Sequence, residues 1–185
     1  MIITKHYGGK CVLDHVRVDI AEGKVNLISG PSGAGKTTLS RILLGLEDNE
    51  GQPARLEGRL SAVFQEDRLI ESFTAKENIR LVSDKSDEEI SRLLSLLGLP
   101  ENQCVREFSG GMRRRCAIAR ALAAPSDVIL FDEPFTGLDE GTEKSVIEVM
   151  GKYIKGKTVI LITHSRQAAL ELGYDTVTEL GKGCE

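Results

Sequence analysis

The chain has 185 residues, 41% apolar and 28% charged, with a formal net charge of −4. Such a length buries a real core within one compact domain, and the composition excludes collagen-like and wholly disordered chains. The acidic balance argues against a general nucleic-acid binder, and no apolar run approaches the roughly 18 residues that a membrane helix requires.

The opening MIITKHYGGK lacks the apolar stretch of a secretory signal. Residues 12–20 alternate, with Val12, Val16, Val18 and Ile20 apolar and Asp14, Arg17 and Asp19 polar, which predicts a half-exposed strand. After the turn at Gly23, Val25 to Ile28 runs into a glycine-rich loop, and Leu39, Ile42, Leu43 and Leu46 then recur at helical spacing. Residues 45–58 are polar and turn-rich, and RLSAVF at 59–64 reads as a short strand ending at Gln65.

Ser86 and Glu89 form a capping-box pattern ahead of Ile90, Leu93, Leu94 and Leu97, a helix stopped by Gly98 and Pro100. A second helix is expected from about Gly111 to Pro125, followed by a buried strand over 128–131. Val146, Ile147, Val149, Met150 and Ile154 mark an amphipathic helix, TVILIT at 158–163 another buried strand, and a short helix follows Ser165. Strands alternating with helices predict an α/β fold with a mainly parallel sheet covered on both faces and an antiparallel portion at the amino terminus.

Gly30-Pro31-Ser32-Gly33-Ala34-Gly35-Lys36-Thr37 fits the phosphate-loop pattern at every fixed position, between a predicted strand and a predicted helix. The glycines let backbone N–H groups converge on phosphates, Lys36 neutralises β- and γ-phosphate charge, and the Thr37 hydroxyl can ligate Mg²⁺; Thr38 follows in the same site. Asp132 and Glu133 end the apolar run 128–131, where open parallel sheets place their ligand crevice. Asp132 suits Mg²⁺ coordination, and Glu133 suits the general base that activates water. A nucleoside triphosphate and Mg²⁺ are the expected ligands.

With Phe108-Ser109-Gly110-Gly111-Met112 opening a helix ahead of that strand, the chain resembles the ATPase subunits of ATP-binding cassette (ABC) transporters. The resemblance runs from Tyr7 to about Leu180 and implies a P-loop NTPase fold with ATP as the nucleotide. It assigns Ser109, Gly110, Gly111 and Met112 to the signature that contacts the γ-phosphate held by an opposite subunit. Gln65 matches the Q-loop residue that senses Mg²⁺, water and a transmembrane partner; Asp139, in Gly137-Leu138-Asp139, matches the D-loop that crosses the dimer interface. His164 matches the switch histidine that orients water, and Tyr7 the aromatic that stacks on adenine. The wording of residues 64–69 and 131–139 is similar to importers of nitrate, sulfonate and taurine.

The resemblance further implies one ATPase domain over 1–185 with a helical subdomain at approximately 66–125. It implies a second ATPase subunit, a separate membrane permease, and a cytoplasmic, membrane-peripheral location. The segments from Lys36 to Gln65 and from Gln65 to Ser109 are shorter than is usual in the family, so the antiparallel β-subdomain and the helical subdomain are expected to be reduced. Met112 stands where glutamine is usual. A soluble ABC ATPase without a transport role, or a nucleotide-binding regulatory module without turnover, stays open as an alternative. The cysteines Cys11, Cys104, Cys116 and Cys184, with no CxxC pair, are expected as reduced thiols, and Arg113 to Arg115 as a solvated helix face. His6 and His15 carry no assigned role.

Overall fold

Alternation along the strands decides how the layers form. The computed structural model describes residues 1–181. Its main sheet contains β3 (Val25–Ser29), β4 (Leu60–Val63), β5 (Val128–Asp132), β6 (Thr158–Ile162) and β7 (Thr176–Glu179), paired in the order β4-β5-β6-β3-β7. Every neighbouring pair is parallel. The central strands β5 and β6 are buried along their whole length, so both of their faces must be apolar.

One face carries Leu27, Ile129, Phe131, Val159 and Leu161. Against it pack α2 (Ala75–Arg80), α3 (Asp87–Leu96), α4 (Gly110–Ala123), α5 (Glu140–Tyr153) and α6 (Arg166–Leu172). The other face carries Ile28, Val128, Leu130, Ile160 and Ile162, covered by α1 (Lys36–Leu43) through Leu39, Ile42 and Leu43. An antiparallel pair, β1 (Ile2–Tyr7) and β2 (Lys10–Arg17), adds Ile3 and Leu13 to this second core.

The parallel sheet flanked by helices and the small antiparallel sheet agree with the predicted fold. The predicted strand at 12–20 is shifted, however, and β1 and β7 carry no sequence prediction. Leu13 and Val18 are both buried, which strict alternation forbids. His15 lies at φ 46 and the β1–β2 register slips near Lys5, so irregular pairing moves the buried face from odd to even positions. Helix α2 also falls where no element was predicted; it starts on a full capping box between Thr74 and Glu77. The predicted box at Ser86 and Glu89 forms as expected.

The thiol expectation needs one correction. Cys104 and Cys116 are free, but Cys11 is disulfide-bonded, and Cys184 lies outside the described residues. Burial pushes the Cys116 thiol up to about 12, which makes it an inert core residue. Among the described residues no helix is long and apolar enough to cross a membrane.

Candidate functional site

The carboxyl ends of β3, β5 and β6 open into one cleft of about 650 Å³ lined by Lys36, Thr37, Thr38, Gln65, Glu133 and His164, among others. Its floor is the loop between β3 and α1. Gly35 sits at φ 87 as the residue before the helix, and a Cβ there would lie 2.7 Å from Leu13 Cδ2 and 3.1 Å from the Val12 carbonyl. Only glycine satisfies both the backbone angle and that packing. Lys36 then opens α1 with its ammonium donating to the carbonyls of Gly30 at 2.7 Å and Pro31 at 3.0 Å. An ammonium has three N–H donors, so one is left for a phosphate oxygen.

Asp132 is the last residue of β5, and alternation turns it to the same face as Leu130, toward α1. There Ser40, one turn after Thr37, donates to Thr37 O at 2.9 Å and lies 3.1 Å from Asp132 Oδ2. The other oxygen, Asp132 Oδ1, is buried with no hydrogen-bond partner. Burial pushes this carboxyl above its usual range, with the Glu133 charge adding and Ser40 opposing. A buried carboxylate oxygen without a donor calls for a cation. Among the described residues no three histidine, cysteine or acidic side chains cluster as metal ligands. A cation here would therefore draw on the Thr37 hydroxyl, Asp132 and Gln65 together with substrate phosphates, the ligand set that suits Mg²⁺.

Glu133 is 8% exposed and has φ 50, a left-handed backbone that costs a non-glycine residue about 1–3 kcal/mol. Its N–H donates to Ile162 O at 2.8 Å, which ties β5 to β6 just past their last paired residues. The carboxylate Oε2 lies 2.8 Å from His164 Nδ1, and the histidine ring itself is exposed. A buried carboxylate and an exposed histidine thus share one wall of the cleft, groups whose chemistry suits activating and orienting a water.

The signature and D-loop positions lie elsewhere. Ser109 caps α4 and accepts from the Met112 N–H at 3.3 Å; Ser109 and Gly110 are exposed, and Gly111 packs beside Leu138 and Gly137. Asp139 caps α5 by accepting from the Thr142 N–H at 3.0 Å and hydroxyl at 2.7 Å, bonds that hold its carboxyl below the usual range. The approach of Gly111 to Gly137 and Leu138 brings the two caps near one another, both are exposed, and neither lines the cleft. Tyr7 is 45% exposed at the end of β1, donates to Glu47, and also lies outside the cleft lining.

Three residues of the site escaped sequence reasoning. Ser40 had a readable signal, its i+3 spacing from Thr37 on one helix face. Thr136 lines the cleft and lies within the 131–139 wording, which gave it no role of its own. Arg114 corrects an expectation: it is 6% exposed, not solvated, and it lines the cleft beside Gln65.

Comparison with known proteins shows what the whole chain is similar to. The family model described as ABC transporter matches residues 13–136. The aliphatic sulfonates import ATP-binding protein SsuB 2 of Pseudomonas syringae is 35% identical over 184 residues, covering 96% of this chain and 79% of that one. The taurine import ATP-binding protein TauB of Jannaschia is 36% identical, covering 90% of this chain and 69% of that one. Among solved structures, the dimeric bacterial ABC transporter cassette MJ0796 superposes with a TM-score of 0.81 at 29% identity, covering 97% of this chain and 92% of that one. A dimeric post-hydrolysis state of the same cassette, bound to ADP and Pi, gives 0.80 at 28% identity, covering 97% and 91%.

Proposed function

Because this chain belongs to the ABC transporter family of ATPases, we propose that it is the ATP-hydrolysing subunit of an importer and works as a head-to-tail dimer that drives a separate membrane permease. The observation that carries this reading is the split of the machinery within one chain. Lys36, Thr37, Glu133 and His164 meet in one cleft, whereas Ser109 and Asp139 face outward from another place. A second subunit brings its own Ser109 to Met112 segment over this chain's phosphate loop, and receives the same in return.

In each site residues 30–37 and Thr38 cradle the phosphates of ATP, Lys36 neutralises their charge, and Tyr7 stacks on the adenine. Thr37, Asp132 and Gln65 hold Mg²⁺, which supplies charge neutralisation at the phosphates when bound. Glu133 accepts a proton from the attacking water, His164 orients that water against the γ-phosphate, and the partner's signature supplies the Ser109 hydroxyl and helix amides from the far side. Asp139 crosses the interface between the two sites. Residues 66–125, a helical subdomain within a single ATPase domain, present the surface that a permease engages. The substrate class proposed is that named for the sulfonate and taurine relatives, small organosulfonates. The chain sits on the cytoplasmic face of the membrane and touches it through the permease alone, with no nucleic acid partner.

Expression of a tagged chain with candidate sulfonate permeases tests the transport assignment. Detergent-purified complexes are expected to contain the tagged chain and one permease in stable ratio, with ATPase activity raised in proteoliposomes by a sulfonate-loaded binding protein. A chain that captures none of them and hydrolyses ATP at full rate alone favours the soluble ABC ATPase instead.

A further inference from the structure

Helix α4 reaches the Q-loop through guanidinium groups. Arg114 Nη1 donates to the Phe64 carbonyl at 2.6 Å, its Nη2 donates to the Gln65 carbonyl, and Nη1 lies 3.3 Å from Asp67 Oδ1. That carboxylate oxygen is buried and accepts no hydrogen bond, so the ion pair with Arg114 is what holds it by charge. Further along α4, Arg120 donates to the carbonyls of Arg68 at 2.8 Å and Asp67 at 3.2 Å, and Arg113 pairs with Glu71 at 2.8 Å.

The carbonyls at 64, 65, 67 and 68 thus all accept from arginines of one helix. Arg114 is the buried member, and its planar fork spans two successive carbonyls, which a lysine ammonium cannot do with the same geometry. The same helix carries Ser109 as its cap, five residues before Arg114. Gln65 lines this chain's own cleft, whereas Ser109 is exposed and does not.

We infer that Arg114, anchored by Asp67, is a positioning residue that locks Gln65 to the signature helix, so that the Q-loop in one ATP site and the signature in the other move as one body. This rests on the head-to-tail dimer reading. A break at Arg114 leaves the phosphate loop in place and weakens closure more than nucleotide binding.

The test uses the full-length chain carrying Glu133→Gln, with and without Arg114→Gln, Arg114→Lys or Asp67→Asn. Affinity for a fluorescent ATP analogue is read on dilute chains, and ATP-driven dimerisation by sedimentation. Because Arg114 also lines the cleft, Arg114→Gln is expected to weaken nucleotide binding, but by less than dimerisation, which should need at least about tenfold more protein. Arg114→Lys and Asp67→Asn fall between, because each keeps part of the clamp. Should Arg114→Gln fail to fold, Asp67→Asn carries the test, since it removes a charge and keeps the shape. A parent that stays monomeric with ATP overturns the dimer reading and this inference with it. A parent that dimerises beside an Arg114→Gln chain that dimerises equally, or that loses affinity and dimerisation in the same proportion, overturns this inference alone.

Discussion

Glu133→Gln lowers kcat about 10²–10⁴-fold and leaves ATP affinity nearly unchanged, the loss expected when a general base is replaced by an isosteric amide. The prediction follows from where Glu133 stands. Its backbone is held at φ 50 with its N–H bonded to Ile162, and its carboxylate faces His164 at 2.8 Å. Here the costly conformation goes together with a cleft-lining carboxylate in contact with a histidine, and that combination motivates the test. The amide keeps the volume and one acceptor oxygen, so the phosphate loop and the fold are undisturbed. Binding outlives turnover, and the ATP-bound dimer should accumulate. Steady-state kinetics with nucleotide titration checks both halves. A kcat within threefold of the parent would remove Glu133 from the mechanism.

Lys36→Ala acts at the earlier step. The ammonium bridges the carbonyls of Gly30 and Pro31, which holds the loop in its cradle shape, and it brings a positive charge to the cleft lining. Charge-assisted hydrogen bonds are worth about 1.5–3 kcal/mol each, so ATP affinity is expected to fall about 10- to 150-fold and hydrolysis to background. Calorimetric titration with ATP measures the loss, and thermal unfolding of the free chain separates a binding defect from a folding one. The two substitutions should differ in kind: the first chain holds ATP without cleaving it, and the second fails to hold it.

Much of this was readable before any coordinates, for a physical reason. Phosphate binding by backbone amides demands glycine at fixed places, so residues 30–37 announce themselves. Central parallel strands must be apolar on both faces, so 128–131 and 158–162 did the same, and they delivered Asp132, Glu133 and His164 to one end of the sheet. The residues that stayed hidden are those whose partners are distant in sequence. Arg114 looks like a solvated helical arginine until the Q-loop folds over it and offers carbonyls fifty and forty-nine residues away. The bend near His15 is invisible because alternation is read from side chains, while the slip is a property of the β1–β2 pairing. Helix α2 has only six residues, too few for a helical period to show, although its capping box is written in the sequence.

A head-to-tail dimer requires that half of each ATP site come from a second subunit. Single-chain geometry supports it, since Ser109 and Asp139 are exposed caps away from the cleft that Lys36 and Glu133 line. ATPase rate against protein concentration, at saturating ATP and Mg²⁺, tests it most directly. The rate per chain should rise with concentration and level off as dimers saturate. A rate per chain that stays constant down to nanomolar protein, with chains sedimenting as monomers, would contradict the shared site.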